Sequence, residues 1–147
     1  MESKKKIFRI TLMLLAVLSI ILPLSFSGCS KSFPYEGSYT GKWTGKLTVL
    51  TRDISVGGTI SLTVDSKGVG TGSVATTGGS VAPATLKAQV DSNGNITGTV
   101  SFTLNATTFN SNWQGKITTS GNSLSMQGTW TSQHGSGTFS GTGTSSK

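Results

Sequence analysis

Between Tyr39 and Phe139 apolar side chains recur on alternate residues, with Thr, Ser, Gln and Lys between them. A period of two cannot place one face of a helix against a core, but it puts one face of a strand there. The alternation comes in eight short rows. They are Tyr39, Trp43, Leu47 and Val49; Ile60, Leu62 and Val64; Val74; Leu86, Ala88 and Val90; Ile96, Val100, Phe102 and Leu104; Phe109, Trp113 and Ile117; Leu124, Met126 and Trp130; and Phe139. One apolar and one polar face is the pattern of antiparallel strands with one side buried.

Turn chemistry separates the rows. Asp65-Ser66-Lys67-Gly68 and Asp91-Ser92-Asn93-Gly94 each offer an Asp acceptor followed by a Gly that tolerates positive φ. Ser120-Gly121-Asn122 and Gln133-His134-Gly135 repeat the idea, and Gly78-Gly79 and Asn105-Ala106 are looser candidates. The segments starting at Val64 (VDSKGVGTGSV) and Val90 (VDSNGNITGTV) share seven of eleven residues at an offset of 26. Such a period accommodates two short strands and two turns, so the repeating unit is a hairpin.

Sequential hairpins leave a free edge at each end of a sheet. The first row, with Gly37, Gly41 and Gly45, and the last, with Gly137 and Gly141, look alike, and pairing them closes the sheet. Glycines in step with the apolar rows (Gly41, Gly45, Gly72, Gly98, Gly115, Gly128, Gly137, Gly141) relieve crowding inside a tightly coiled wall. The expected fold is all-β, an antiparallel up-and-down barrel of about eight strands. A β-sandwich is the alternative, and a β-solenoid or a membrane barrel would also use this alternation.

The first 29 residues differ. Lys4, Lys5, Lys6 and Arg9 precede an apolar run from Ile10 to Leu24. A short basic segment followed by about fifteen apolar residues is the layout of a secretory signal. It falls short of the roughly 20 residues a spanning helix needs. Phe26-Ser27-Gly28-Cys29 resembles the lipobox of bacterial lipoproteins, with Phe26 where that family prefers Leu. The resemblance implies cleavage between Gly28 and Cys29 and a covalent lipid on Cys29, with no other cofactor. Residues 1–28 are then a signal peptide, 29–36 a lipidated tether and 37–147 the β-barrel domain. A tether from Ser30 to Pro34 reaches at most about 18 Å. It would hold the barrel near a membrane, with Phe33 and Tyr35 at the interface and Lys31 among head groups. The implied location is the bacterial cell envelope, in the outer membrane where the host has one.

Gly41 and Trp43, with Tyr39 before them, resemble the opening Gly-x-Trp motif of lipocalins and other calycins. That resemblance implies an eight-stranded ligand-binding barrel with Trp43 packed across its closed end. The chain lacks that family's later motifs and C-terminal helix.

Composition restricts the chemistry. The chain has one His, one Cys and five acidic residues. A lone Cys makes no internal disulfide and no Cys-rich zinc site. Beyond Cys29 lie eight cations and four anions, scattered and without interleaved aromatics, so nucleic acid is not an expected partner. His134 lies in a turn with no neighbouring carboxylate, and no Gly-x-Ser-x-Gly elbow occurs. Asp65 and Asp91 at equivalent turns read as turn formers rather than a calcium or acid–base pair. The expectation is no enzyme and no metal. Trp43, Phe102, Phe109, Trp113, Met126 and Trp130 are either packed core or the walls of a pocket for a small apolar ligand. The alternative is a structural lipoprotein whose outer face meets an envelope protein or a glycan.

Overall fold

The computed structural model describes residues 32–49, 52–77, 83–104 and 107–146. Cys29 and the rest of the lipobox lie outside these residues, as do Gly78-Gly79 and Asn105-Ala106. The described strands are β1 (Gly37–Val49), β2 (Arg52–Val64), β3 (Val69–Thr76), β4 (Ala84–Val90), β5 (Asn95–Leu104), β6 (Thr107–Ser120), β7 (Ser123–Ser132) and β8 (Gly135–Ser145). Each pairs antiparallel with the next, and β1 pairs with β8, which closes the barrel. The closing register sets Gly41 opposite Gly141, Trp43 opposite Phe139 and Gly45 opposite Gly137.

The apolar rows face inward. Tyr39, Trp43, Ile60, Leu62, Val64, Leu86, Val90, Ile96, Val100, Trp113, Ile117, Leu124, Met126, Trp130 and Phe139 form one buried cluster. An eight-stranded barrel has an interior just wide enough for side chains to fill. Several strands exceed the 9–11 residues that a membrane strand needs, so length does not separate the two kinds of barrel. The faces do: the described outer wall is a Thr, Ser, Asn, Gln and Lys surface, the reverse of an apolar lipid-facing band. Registered hydroxyl pairs tie parts of it together, including Ser61 with Ser73 at 2.9 Å and Thr118 with Ser125 at 2.8 Å.

Glycines make the interior possible. An added Cβ at Gly115 or Gly128 would lie 2.8 or 2.6 Å from the Phe139 ring. One at Gly141 would lie 2.8 Å from Met126 Cε, and one at Gly45 would collide with the Trp130 ring. Large rings therefore lie over cross-strand glycine pairs, and the small interior accepts three indoles.

The repeated turns are equivalent in space. Asp65 Oδ1 accepts from the N–H groups of Lys67 and Val69, both at 2.8 Å. Asp91 Oδ1 accepts from Asn93 and Asn95 at 2.8 and 2.9 Å. Gly68 and Gly94 adopt φ of 79° and 82°, where only glycine is free of Cβ strain. Each glycine carbonyl then accepts from a later strand, Gly68 from Val90 N–H and Gly94 from Ile117 N–H. The sequence repeat is thus a hairpin stitched to its successor.

Ser32–Glu36 packs on this turn end. Phe33 and Tyr35 meet edge to face at 5.5 Å and are partly buried against the core. Phe33 lies beside Gly68 and Tyr35 beside Gly94. Tyr39 donates its hydroxyl to the Tyr35 carbonyl at 2.6 Å. The two rings that the sequence reading set at a membrane interface pack on the barrel's turn end. The reason is physical: bare turn glycines leave flat backbone on which a ring can rest.

Candidate functional site

Of the six residues proposed as core or pocket, Trp43, Trp113, Met126 and Trp130 come together in the interior. Phe102 and Phe109 stand opposite each other in the β5–β6 register, and their side chains lie outside the described ones. Trp113 stacks on Trp130 at 6.4 Å, and Trp43 meets Trp130 edge-on at 5.7 Å. Phe139 completes the group, 5.0 Å from Trp113.

The indoles spend their polarity on the protein. Trp43 reaches past β2 and donates to the Ala75 carbonyl on β3 at 3.0 Å. Trp130 reaches past β8 to the Thr44 carbonyl on β1 at 3.0 Å. Trp113 donates to Ser111 Oγ at 2.9 Å, and Ser111 donates to the Val100 carbonyl at 3.4 Å. Among the described residues no buried side-chain polar atom lacks a partner. A ligand inside the described barrel would have to displace rings and break these bonds.

Open space lies on the wall instead. β3 stops pairing with β2 at Gly58–Thr76, while β2 continues to Arg52 alongside β1. A cleft of ≈ 370 Å³ occupies this seam. Trp43 and Val56 give it apolar surface, and Gly57 and Gly58 expose backbone. Lys42, Thr44, Ser55, Thr59, Thr76 and Thr77 surround it with an ammonium and five hydroxyls. None of these six side chains makes a hydrogen bond within the described structure. The volume falls in the usual range for small-molecule sites, and the mixture of apolar surface with a few polar groups is also usual. Sequence reasoning named only Trp43 here. Gly57-Gly58 was the available signal, since paired glycines inside a strand mark a close backbone approach.

Catalytic groups do not gather. Among the described residues, no group of three or more His, Cys, Asp and Glu could hold a metal. His134 sits in the exposed β7–β8 turn, where its carbonyl accepts from Thr48 N–H at 2.7 Å. Asp65 and Asp91 are held by their own turns. The Asp91 carboxyl lies below the usual range, first because the Asn95 side chain and N–H donate to it, then through Asn93 N–H and the Lys116 charge. Burial, followed by the nearby Tyr35, pushes the Tyr39 phenol up to about 12. Both shifts belong to structural groups.

No family model matches the chain, and no curated protein matches it. Among solved structures it is similar to rhizavidin, with 19% sequence identity and a TM-score of 0.44 over 69% of this chain and 81% of that one. The expected identity, a lipoprotein carrying a lipocalin-like barrel, is corrected in its barrel, since no family model matches the chain and the position of Trp43 departs from that expectation, while the lipobox lies outside the described residues. Trp43 does not cap a closed end: Phe33 and Tyr35 pack at the end where β1 begins, and Trp43 lies six residues further along, among the other indoles.

Proposed function

We propose that the protein is a non-catalytic binding barrel that takes a small ligand in the β1–β2–β3 seam rather than in its interior. The observation behind this reading is the contrast between the two sites. The interior rings are mutually packed with every indole N–H engaged, whereas the seam holds uncommitted hydroxyls and the Lys42 ammonium around Trp43 and Val56. A ligand with an apolar body and an anionic or hydroxylated end fits that chemistry. The apolar part would cover Val56 and the Trp43 edge, and the polar end would meet Lys42 and the threonines.

Anilinonaphthalene sulfonate, an apolar aromatic anion, is a suitable probe. Titrated into the folded full chain, it should gain fluorescence and quench tryptophan emission. Lys42→Gln should weaken that binding several-fold, and Thr59→Phe should block it while leaving the unfolding midpoint close to wild type. Binding indifferent to both substitutions would overturn the reading.

A further inference from the structure

A second part of the outer wall is built differently. Across β4, β5 and β6 two rows of exposed polar side chains run in register. One is Lys87, Thr99 and Asn112, and the other is Gln89, Thr97 and Gln114. They flank the row Ala88, Gly98 and Trp113, whose positions belong to the inner face. Together these residues bound a shallow cleft of ≈ 410 Å³. Strand spacing makes the grid roughly 10 Å by 7 Å.

At some places the wall's polar groups pair with each other, as Ser61 does with Ser73 and Ser101 with Asn110. Here they do not. Gln89 makes only long contacts, to the Lys67 and Val90 carbonyls at 3.4 and 3.5 Å. The other five side chains of the grid make no hydrogen bond within the described structure. Two amides, two hydroxyls and one ammonium therefore stand side by side, uncommitted, on a rigid support, beside the loosely held amide of Gln89.

We propose that this grid binds a neutral polyhydroxylated chain, a glycan. An amide offers two donors and an acceptor on one plane, and a hydroxyl offers both functions, which suits neighbouring hydroxyls of a sugar. The competing partners fit less well. A phosphate or nucleic acid would call for several cations, and the grid has only Lys87. A globular protein partner would call for an apolar centre with aromatic anchors, and the six exposed side chains of this grid are all polar. An added β-strand would need a free edge, yet β5 is paired on both sides. No described aromatic side chain stands on the outer face, so binding lacks a stacking platform and is weak for one sugar unit, gaining from length.

The test uses the isotope-labelled full chain in a sugar-free detergent, titrated with the neutral hexasaccharides of glucose (α- and β-linked) and of N-acetylglucosamine. At least one should shift the side-chain amide resonances of Gln89, Asn112 and Gln114 in a saturable way. The double substitution Asn112→Ala/Gln114→Ala should weaken binding about tenfold or more without changing the unfolding midpoint greatly. Thr59→Phe, in the seam, should leave it untouched, which separates this proposal from the one above. No shift with any hexasaccharide, shifts that survive the double substitution, or binding only to a sulfated glycan and abolished by salt would each overturn it.

Discussion

Trp130 on β7 donates its indole N–H to the Thr44 carbonyl on β1, across the intervening strand β8, at 3.0 Å. The bond links strands that are not neighbours, and Gly137 on β8 leaves the room. An added Cβ there would lie 2.6 Å from Trp130 Nε1 and would collide with the Thr44 carbonyl. Trp43 makes the matching link from β1 past β2 to Ala75 on β3. The barrel is braced from within by two indoles, beyond its ladder of neighbouring strands.

Trp130→Phe should therefore cost more than its change in size suggests. It leaves the Thr44 carbonyl without this donor, worth about 1–3 kcal/mol, on top of lost contact with Trp43 and Trp113. Trp130→Ala should cost about 3–5 kcal/mol. Urea unfolding followed by circular dichroism checks both. Equal stability of Trp130→Phe and wild type would remove the brace.

Gly137→Ala and Gly121→Ala form a contrast. The first puts a methyl into the indole and the β1 backbone, and should cost about 3 kcal/mol, the upper part of the overpacking range. At Gly121 nothing lies within 4 Å, and only its φ of 59° opposes a side chain. That substitution should cost about 1–2 kcal/mol. Differential scanning calorimetry should rank Gly137→Ala well below Gly121→Ala.

Asp91 gives an acid-side prediction. Its carboxyl is lowered, chiefly by the Asn95 side chain donating to Oδ2 at 2.7 Å. Folding therefore favours the ionised form, so the contribution is present above the ordinary Asp range and is lost as pH falls through the lowered value. Asp91→Ala should flatten part of the stability loss seen on acidification. The Asn93 and Asn95 amide resonances should follow the same titration.

Tyr39 gives the alkaline counterpart. With the phenol raised to about 12 from 10.0, folding favours the neutral form. Its contribution is whole below pH 10 and disappears as pH rises through about 12. Ultraviolet difference titration should show one tyrosine ionising late and together with loss of near-ultraviolet circular dichroism. Tyr39→Phe should remove that step.

The eight rows and the pairing of the first with the last were legible in the residues because alternation is local. Gly41, Trp43 and Gly45 meet Gly141, Phe139 and Gly137 as their similarity suggested. The early part of β2 was not legible, since Arg52, Asp53 and Ser55 are exposed and Ile54 is 49% exposed, so the apolar row fades there. The seam was hidden for a related reason. It arises where β3 ends relative to β2, a difference between two strands that neither states alone. The wall grid also depends on the register of three strands, and only their registration brings Gln89, Thr97 and Gln114 side by side. Phe33 and Tyr35 carried no local sign of their turn-glycine partners more than thirty residues away.

The β1–β8 seam also governs when the molecule can finish forming. On the side away from β2, Gly37 finds its partner in Ser145, so the outer border of β1 has no mate until β8 has left the ribosome. Until that moment the nascent hairpins form an open ribbon with two bare margins, the state most exposed to pairing with a neighbouring copy. The closing strand β8 is thus the one that makes the barrel safe, and slowing elongation before Gly135 should raise the fraction lost to aggregation.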